Sequence, residues 1–161
     1  MPELVTELVT DRLRLIPLSS EHADEYAAFI PEEEARRETV DSEAHWAQHS
    51  FGPWAVLEGG RFVGFAEVHY AGEGIGGIDA CEVEVGWVIA EDRRVRGLAT
   101  EAMGAAIADA WVRAETDHVV AYIRPENAIS LRVAEKLGFR LRGPGRARSG
   151  DPVGVYVLDA P

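Results

Sequence analysis

At 161 residues and 47% hydrophobic composition, the chain is long enough for one domain, spanning 1–161, that buries a sizeable core. Its net charge is −12, with Asp and Glu outnumbering Lys and Arg by 28 to 16, which argues against a general nucleic-acid surface and favours cationic partners such as amines. The single cysteine, Cys81, excludes an internal disulfide. No apolar run reaches membrane-spanning length and the acidic opening Met1–Glu7 lacks a signal-peptide core, so a cytoplasmic protein is expected.

Arg12-Leu13-Arg14-Leu15-Ile16-Pro17 alternates and predicts a strand that stops at Pro17. Ser19 or Ser20 then caps a helix to about Ile30, with Ala23, Tyr26, Ala27 and Ile30 at helical spacing. Residues 31–40 read as a solvated stretch, followed by a short helix over Ser42–His49. Trp54–Leu57 and Arg61–His69 predict two strands, and Glu58-Gly59-Gly60 between them is a hairpin signal. A glycine-rich loop over 71–80 leads into a strand at Glu82–Ala90. A helix follows over Gly97–Arg113 with Met103, Ile107 and Trp111 on one stripe, then a strand at His118–Ile123. Asn127–Leu137 is a helix ended by Gly138, and Phe139–Arg142 with Val153–Leu158 close the chain as a strand pair. The order gives an α/β (α+β by some schemes) fold with a sheet of mixed direction.

The most informative stretch runs from Val85 to Ala102. An apolar strand enters a turn holding Arg93, Arg94 and Arg96, and Gly97 opens a long helix. The first amides of a helix have no internal acceptors and, with the helix dipole, form an anion site. Gly97 and Ala99 are small enough for a phosphate to approach the backbone. A pyrophosphate cradle fits this pattern, and so, on spacing alone, does a surface turn with solvated arginines. The turn is not a Walker A, because no Gly-Lys-Ser/Thr closes it.

Arg94-x-x-Gly97-x-Ala99, within Gly-Leu-Ala-Thr-Glu-Ala at 97–102, resembles the acyl-CoA pyrophosphate motif of the GNAT N-acetyltransferase superfamily. Asn127-Ala-Ile-Ser130, continuing to Glu135-Lys136-Leu137-Gly138-Phe139, resembles that family's second motif. The opening 10–18 is similar to the first strand of the RimJ/RimL branch, which includes ribosomal-protein N-terminal acetyltransferases. The resemblance implies the GNAT fold, a mixed and mostly antiparallel twisted sheet flanked by helices. It also implies acetyl-CoA as co-substrate, lying between the strands at 83–89 and 118–123.

On that basis Trp87, Val88 and Ile89 are expected to hold the pantetheine arm, and Arg94, Val95, Arg96, Gly97, Leu98, Ala99 and Thr100 the pyrophosphate. Asn127, Ser130 and Arg132 complete the expected cofactor set. The acceptor is an amine, a protein N-terminus or a small molecule; a non-catalytic CoA-binding module is the reading from another class. No metal, nucleic acid or membrane is expected, and a homodimer is compatible with the resemblance.

Direct attack by an amine requires a base, because an ammonium has no lone pair. Glu84 is the first candidate, and Glu82 and Glu67 follow. The family's tyrosine acid has no counterpart here, since Ala134 stands at its position; Ser130 is the alternative proton donor. Several signals are set aside. Gly72-Glu-Gly-Ile-Gly-Gly77 leads into a strand, so a flexible loop or lid is expected rather than a nucleotide site. His45 and His49 lack a third ligand nearby, and His69 reads as a sheet histidine.

Overall fold

The computed structural model describes residues 7–94 and 96–161; the opening 1–6 and Val95, one of the expected phosphate contacts, lie outside the described residues. The chain runs β1 (Leu8–Val9), β2 (Arg14–Pro17), a 3-10 turn at Ser20–His22, α1 (Ala23–Tyr26), α2 (Glu32–His49), β3 (Trp54–Glu58), β4 (Arg61–Tyr70) and β5 (Val83–Ile89). A second 3-10 turn at Glu91–Arg93 leads to α3 (Leu98–Arg113), β6 (His118–Ile123), α4 (Ala128–Leu137), β7 (Arg140–Arg146) and β8 (Pro152–Asp159). The eight strands form one sheet in the order β1-β2-β3-β4-β5-β6-β8-β7. Every pairing is antiparallel except that of β5 with β6. The expected mixed, mostly antiparallel sheet flanked by helices is therefore present.

Side-chain alternation along the strands divides the sheet into two faces. On one, Val83, Val85 and Ile89 of β5 and Val119, Ala121 and Ile123 of β6 join the main core with Ala102, Met103, Ala106, Ile107 and Ala110 of α3. The alanines keep that helix close to the sheet, and Met103 and Ile107 lie on its inner stripe. On the other face, Leu18, Tyr26, Ala35, Ala55 and Phe65 pack beneath α1 and α2. Ile75, Ile78, Val120, Val155 and Val157 pack beneath the glycine-rich loop. Residues of both clusters wall a cavity between them.

Most of the expected elements are present, and three differ. β1 adds an edge strand through Leu8↔Leu15 and Val9↔Arg14, too short for a periodicity to show. The helix expected to reach Ile30 ends as regular α-helix at Tyr26; Pro31 disfavours helical geometry at the residue before it. The stretch expected to be solvated at 31–40 is instead the first half of α2. Glu32, Glu33 and Glu34 complement the dipole at its start, and Glu32 pairs with Arg36 one turn on. Its buried stripe is Ala35, Thr39 and Ser42, which are small or polar. The Thr39 hydroxyl donates to Ala35 O (2.8 Å) and the Ser42 hydroxyl to Leu18 O (2.7 Å). Such a stripe is invisible to a search for apolar periodicity.

The β3–β4 hairpin turns where the sequence placed it. Gly59 and Gly60 have φ of 57° and 80°, the two positive values a type I′ turn demands.

Candidate active site

The sheet opens at one place. β5 and β6 run parallel and pair at a single position, Glu84↔Val120, so their C-terminal halves leave a fork. On the other edge of β5 the ladder to β4 is complete, and the Ala90 amide donates to Val63 O (2.7 Å). Antiparallel main-chain groups alternate in direction. Those of Gly86, Val88 and Ala90 therefore face β4, and those of Val85, Trp87 and Ile89 face the fork. Ile89 O accepts Arg94 Nε (3.0 Å). The Trp87 indole N–H is buried without a hydrogen-bond partner. Val88 is a wall residue whose main chain is turned to β4.

A groove of about 470 Å³ runs from the fork to the start of α3. Trp87, Gly97–Thr100, Asn127, Ser130, Arg132 and Lys136 are among the residues that line it. Gly97 precedes α3 in the left-handed region (φ 77°), and no side chain caps the first amides of the helix. The carboxylate of Glu101, in the first turn, is drawn away by Thr10 Oγ1 (2.5 Å) and Arg12 Nε (2.8 Å).

Arg93 and Arg96 both pair with Glu58, at 3.1 and 3.2 Å. Arg96 does not line the groove, which corrects the expectation that its guanidinium supplies charge there; Glu58, at the end of β3, satisfies it instead. Arg94, Arg132 and Lys136 line the groove and, among the described residues, join no ion pair. No acidic residue lines the groove, in a chain whose net charge is −12. The charged groups on offer are all cationic, which fits a polyphosphate.

A passage of about 180 Å³ through the fork shares Trp87, Asn127 and Ser130 with the groove. It shares Glu67, Glu84 and Tyr122 with the cavity on the other face, of about 370 Å³. Groove, passage and cavity are thus neighbours along the fork, sharing walls. Asn127 Oδ1 accepts the Ser130 amide (3.1 Å) and caps α4. The cavity has the opposite charge from the groove, with Glu38, Asp41, Glu67 and Glu84 on its walls. Its arginine, Arg148, is held by the carbonyls of Ala71 and Glu73. Tyr26 donates to Glu38 (2.7 Å) at the far wall, where burial raises both groups.

Glu84 sits at the base of the fork, 5% exposed, and its Oε2 has no hydrogen-bond partner. Burial pushes its carboxyl up to about 7; neighbouring Glu67 adds to the rise, while His69 and Arg148 oppose it. Glu82, the second base candidate, is elsewhere. It binds Arg142 (2.5 Å) and His118 (2.9 Å), and chiefly the Arg142 bond holds it down at about 2. Glu82 does not line the fork, which corrects its candidacy: a carboxylate so strongly ion-paired is a poor base. Glu67 lines both cavity and passage.

Tyr122 was not anticipated. It lies two residues past Val120, on the same face as Glu84, and lines both passage and cavity; burial first, then Glu84, raises its phenol. The register Glu84↔Val120 was the missing signal. Arg148 and the Tyr26–Glu38 pair come from distant segments and carried no local motif.

The signals set aside also have places. The His45 Nδ1–H donates to Phe51 O (2.7 Å) and Nε2 accepts the Tyr70 amide (3.1 Å), so both nitrogens are used. No cluster of three metal-ligating side chains occurs among the described residues. The glycine-rich loop is pinned by paired bonds between Gly76 and Arg146 (2.8 and 3.0 Å). No helix among the described residues is long and apolar enough to cross a membrane.

The profile of the acetyltransferase (GNAT) domain matches residues 12–140. The chain is similar to a protein from Bordetella pertussis assigned to the GnaT family of acetyltransferases, with 29% identity, 94% of this chain and 98% of that one covered, and a TM-score of 0.82. It is similar to an acetyltransferase from Agrobacterium tumefaciens str. C58, with 25% identity, coverage of 97% and 95%, and a TM-score of 0.81. Mycobacterium smegmatis RimJ, in complex with CoA-disulfide, shares the fold at 17% identity, coverage of 92% and 82%, and a TM-score of 0.69.

Proposed function

The chain belongs to the GNAT family of acetyl-CoA-dependent acetyltransferases, and from that premise we propose that it acetylates a primary amine by direct attack, the acceptor being a protein or peptide N-terminus. One observation carries this reading: an acid-free groove with unpaired cations meets an acid-lined cavity through the fork between β5 and β6. A polyanionic donor and a cationic acceptor are thereby sorted to opposite faces of the sheet.

The roles follow from position. The amides of Gly97–Thr100, with Arg94, Arg132 and Lys136, hold the pyrophosphate. Asn127 and Ser130 flank the arm that enters the fork, and the main chain of Trp87 and Ile89 aligns it. Glu84 takes a proton from the acceptor ammonium. The freed amine forms a C–N bond at the thioester carbonyl and the C–S bond breaks; the amine nitrogen loses its second proton as the departing thiolate takes one up, so that exchange is neutral. Ser130 and Tyr122 are the hydroxyls beside the departing sulfur. A phenol, even one raised by burial as Tyr122 is, lies closer to a thiol than an alcohol does as a proton source.

The N-terminal acceptor rests on the similarity of the opening strand to the RimJ/RimL branch. A small-molecule amine is the second reading, favoured by the cavity's walling from α2 on one side and the Arg148 loop on the other. Thiol release from acetyl-CoA, followed with a panel of peptides and small amines, tests the proposal. Turnover on peptides supports the first acceptor, and turnover on small amines alone supports the second. Acetyl-CoA binding with no acetylation of any member contradicts catalysis and leaves a binding module.

A further inference from the structure

We propose that His69 is the proton outlet of Glu84, taking from the carboxyl the proton removed from the acceptor and releasing it to solvent. The inference rests on Glu84 being the base, as argued above. It begins from a problem that Glu84 creates. A base that is 5% exposed and reaches solvent through the cavity and passage that the substrates fill needs a protein group to take its proton while they are bound.

His69 solves it by register and tautomer. It is the cross-strand partner of Glu84 in the β4–β5 ladder, so the two side chains leave the sheet on the same face. Its Nδ1–H donates to Tyr70 O (2.8 Å), which places the lone pair on Nε2. That nitrogen is the one facing Glu84 Oε2, at 3.9 Å. A small side-chain rotation closes this separation to a hydrogen bond, as catalytic pairs commonly tighten when substrate binds. The exposures run in the right order, 6% for the Glu84 side chain and 25% for that of His69. His45, the other imidazole on the cavity wall, has both nitrogens committed to the main chain and cannot serve.

The proton balance is closed. The ammonium gives a proton to the Glu84 carboxylate and the amine attacks. The neutral carboxyl then passes that proton to His69 Nε2, and the imidazolium loses it to water as product leaves, restoring both groups. Other charged or titratable groups around the pair are Glu67 and Tyr70 on β4, Tyr122 on β6, Arg148 from the β7–β8 loop, Tyr26 on α1, and Glu38, Asp41 and His45 on α2. Arg148 is held by main-chain carbonyls, and burial raises the Tyr122 phenol, so it is protonated before the thiolate departs. His69 thus acts through Glu84 and not on substrate.

The test uses the full chain with acetyl-CoA and its best amine. His69→Asn can keep a donor to Tyr70 O while deleting Nε2, and His69→Phe removes both functions. Expected for both are a kcat at least tenfold lower and an unchanged KM for acetyl-CoA. The acidic limb of the kcat/KM profile should move to higher pH, because the electrostatic influence of His69 that lowers Glu84 is removed. Added imidazole should restore kcat in a concentration-dependent way. Wild-type kcat and an unmoved limb in both variants overturn the proposal. If neither variant folds, the wild-type solvent isotope effect on kcat decides: a multi-proton inventory supports the relay, and none overturns it. Glu84→Gln separates the layers. Glu84→Gln at wild-type rate removes the base assignment itself, whereas an inactive Glu84→Gln beside a fully active His69→Asn removes only the outlet.

Discussion

Glu84 and Val120 face each other at the one position where β5 and β6 pair, and past them the strands part. That crossing point sets the geometry of the site. It puts a buried carboxylate at the base of a passage, with a cationic groove on one face of the sheet and an acidic cavity on the other.

The first prediction concerns Glu84→Gln. Loss of a general base lowers kcat by about 10²–10⁴-fold. In the wild type, kcat/KM should rise as pH passes through about 7, where burial has placed this carboxyl. The same shift has a stability consequence. A carboxyl raised from 4.5 to about 7 on folding favours the native state below the lower value and loses that contribution as pH climbs through the higher one. Glu84→Gln should therefore melt at a higher temperature than wild type at pH 8, with the gain shrinking at pH 4. Thermal melts at both pH values, beside the pH–rate profile, check the two halves.

A second prediction separates neighbouring arginines. Arg94→Ala should weaken CoA binding by about 1.5–3 kcal/mol, roughly tenfold to a hundredfold in Kd. Arg96→Ala should change it far less, because that guanidinium is turned to Glu58. Calorimetric titration of both variants measures the contrast. Equal losses would mean that the turn reorganises around the ligand.

Gly97→Ala is the third. The obstacle is backbone conformation, not crowding: φ is 77°, and the nearest atom to an added Cβ is an Arg12 nitrogen at 3.5 Å. A residue other than glycine in that region costs about 1–2 kcal/mol. The variant should lose that much stability in denaturant unfolding and bind CoA more weakly as the α3 amides shift.

The fourth addresses the other acid of β5's approach. Glu82 is held down at about 2 mainly by Arg142, so its contribution to stability is present above 4.5 and is lost as pH falls toward 2. Glu82→Gln should lower Tm at pH 7, and the difference from wild type should fade on acidification. His118, raised by Asp117 and Glu82, contributes below its ordinary value and loses that contribution as pH rises through the shifted one. Melts from pH 2 to pH 9 test both signs.

The legible parts of the molecule were those written in local pattern. Gly59 and Gly60 announce a turn, Gly97 and Gly138 bracket helices through their left-handed backbone, and Asn127 reads as a cap because its spacing to Ser130 is local. What escaped depended on long-range geometry. The first half of α2 buries only Ala35, Thr39 and Ser42, so no hydrophobic period revealed it. Glu82 and Glu84 look equivalent by alternation, yet Arg142, sixty residues away in sequence, claims one and burial isolates the other. Arg93, Arg94 and Arg96 look like one cluster until Glu58 divides them. Tyr122 was hidden for the same reason: its face is defined by a pairing with a strand far earlier in the chain.

The most direct test is a crystal of this chain soaked in CoA. The diphosphate is expected against the amides of Gly97–Thr100, with Arg94 beside it and the thiol end emerging between β5 and β6 near Trp87 and Ser130. Density for CoA elsewhere, with those amides facing only solvent, would contradict the assignment.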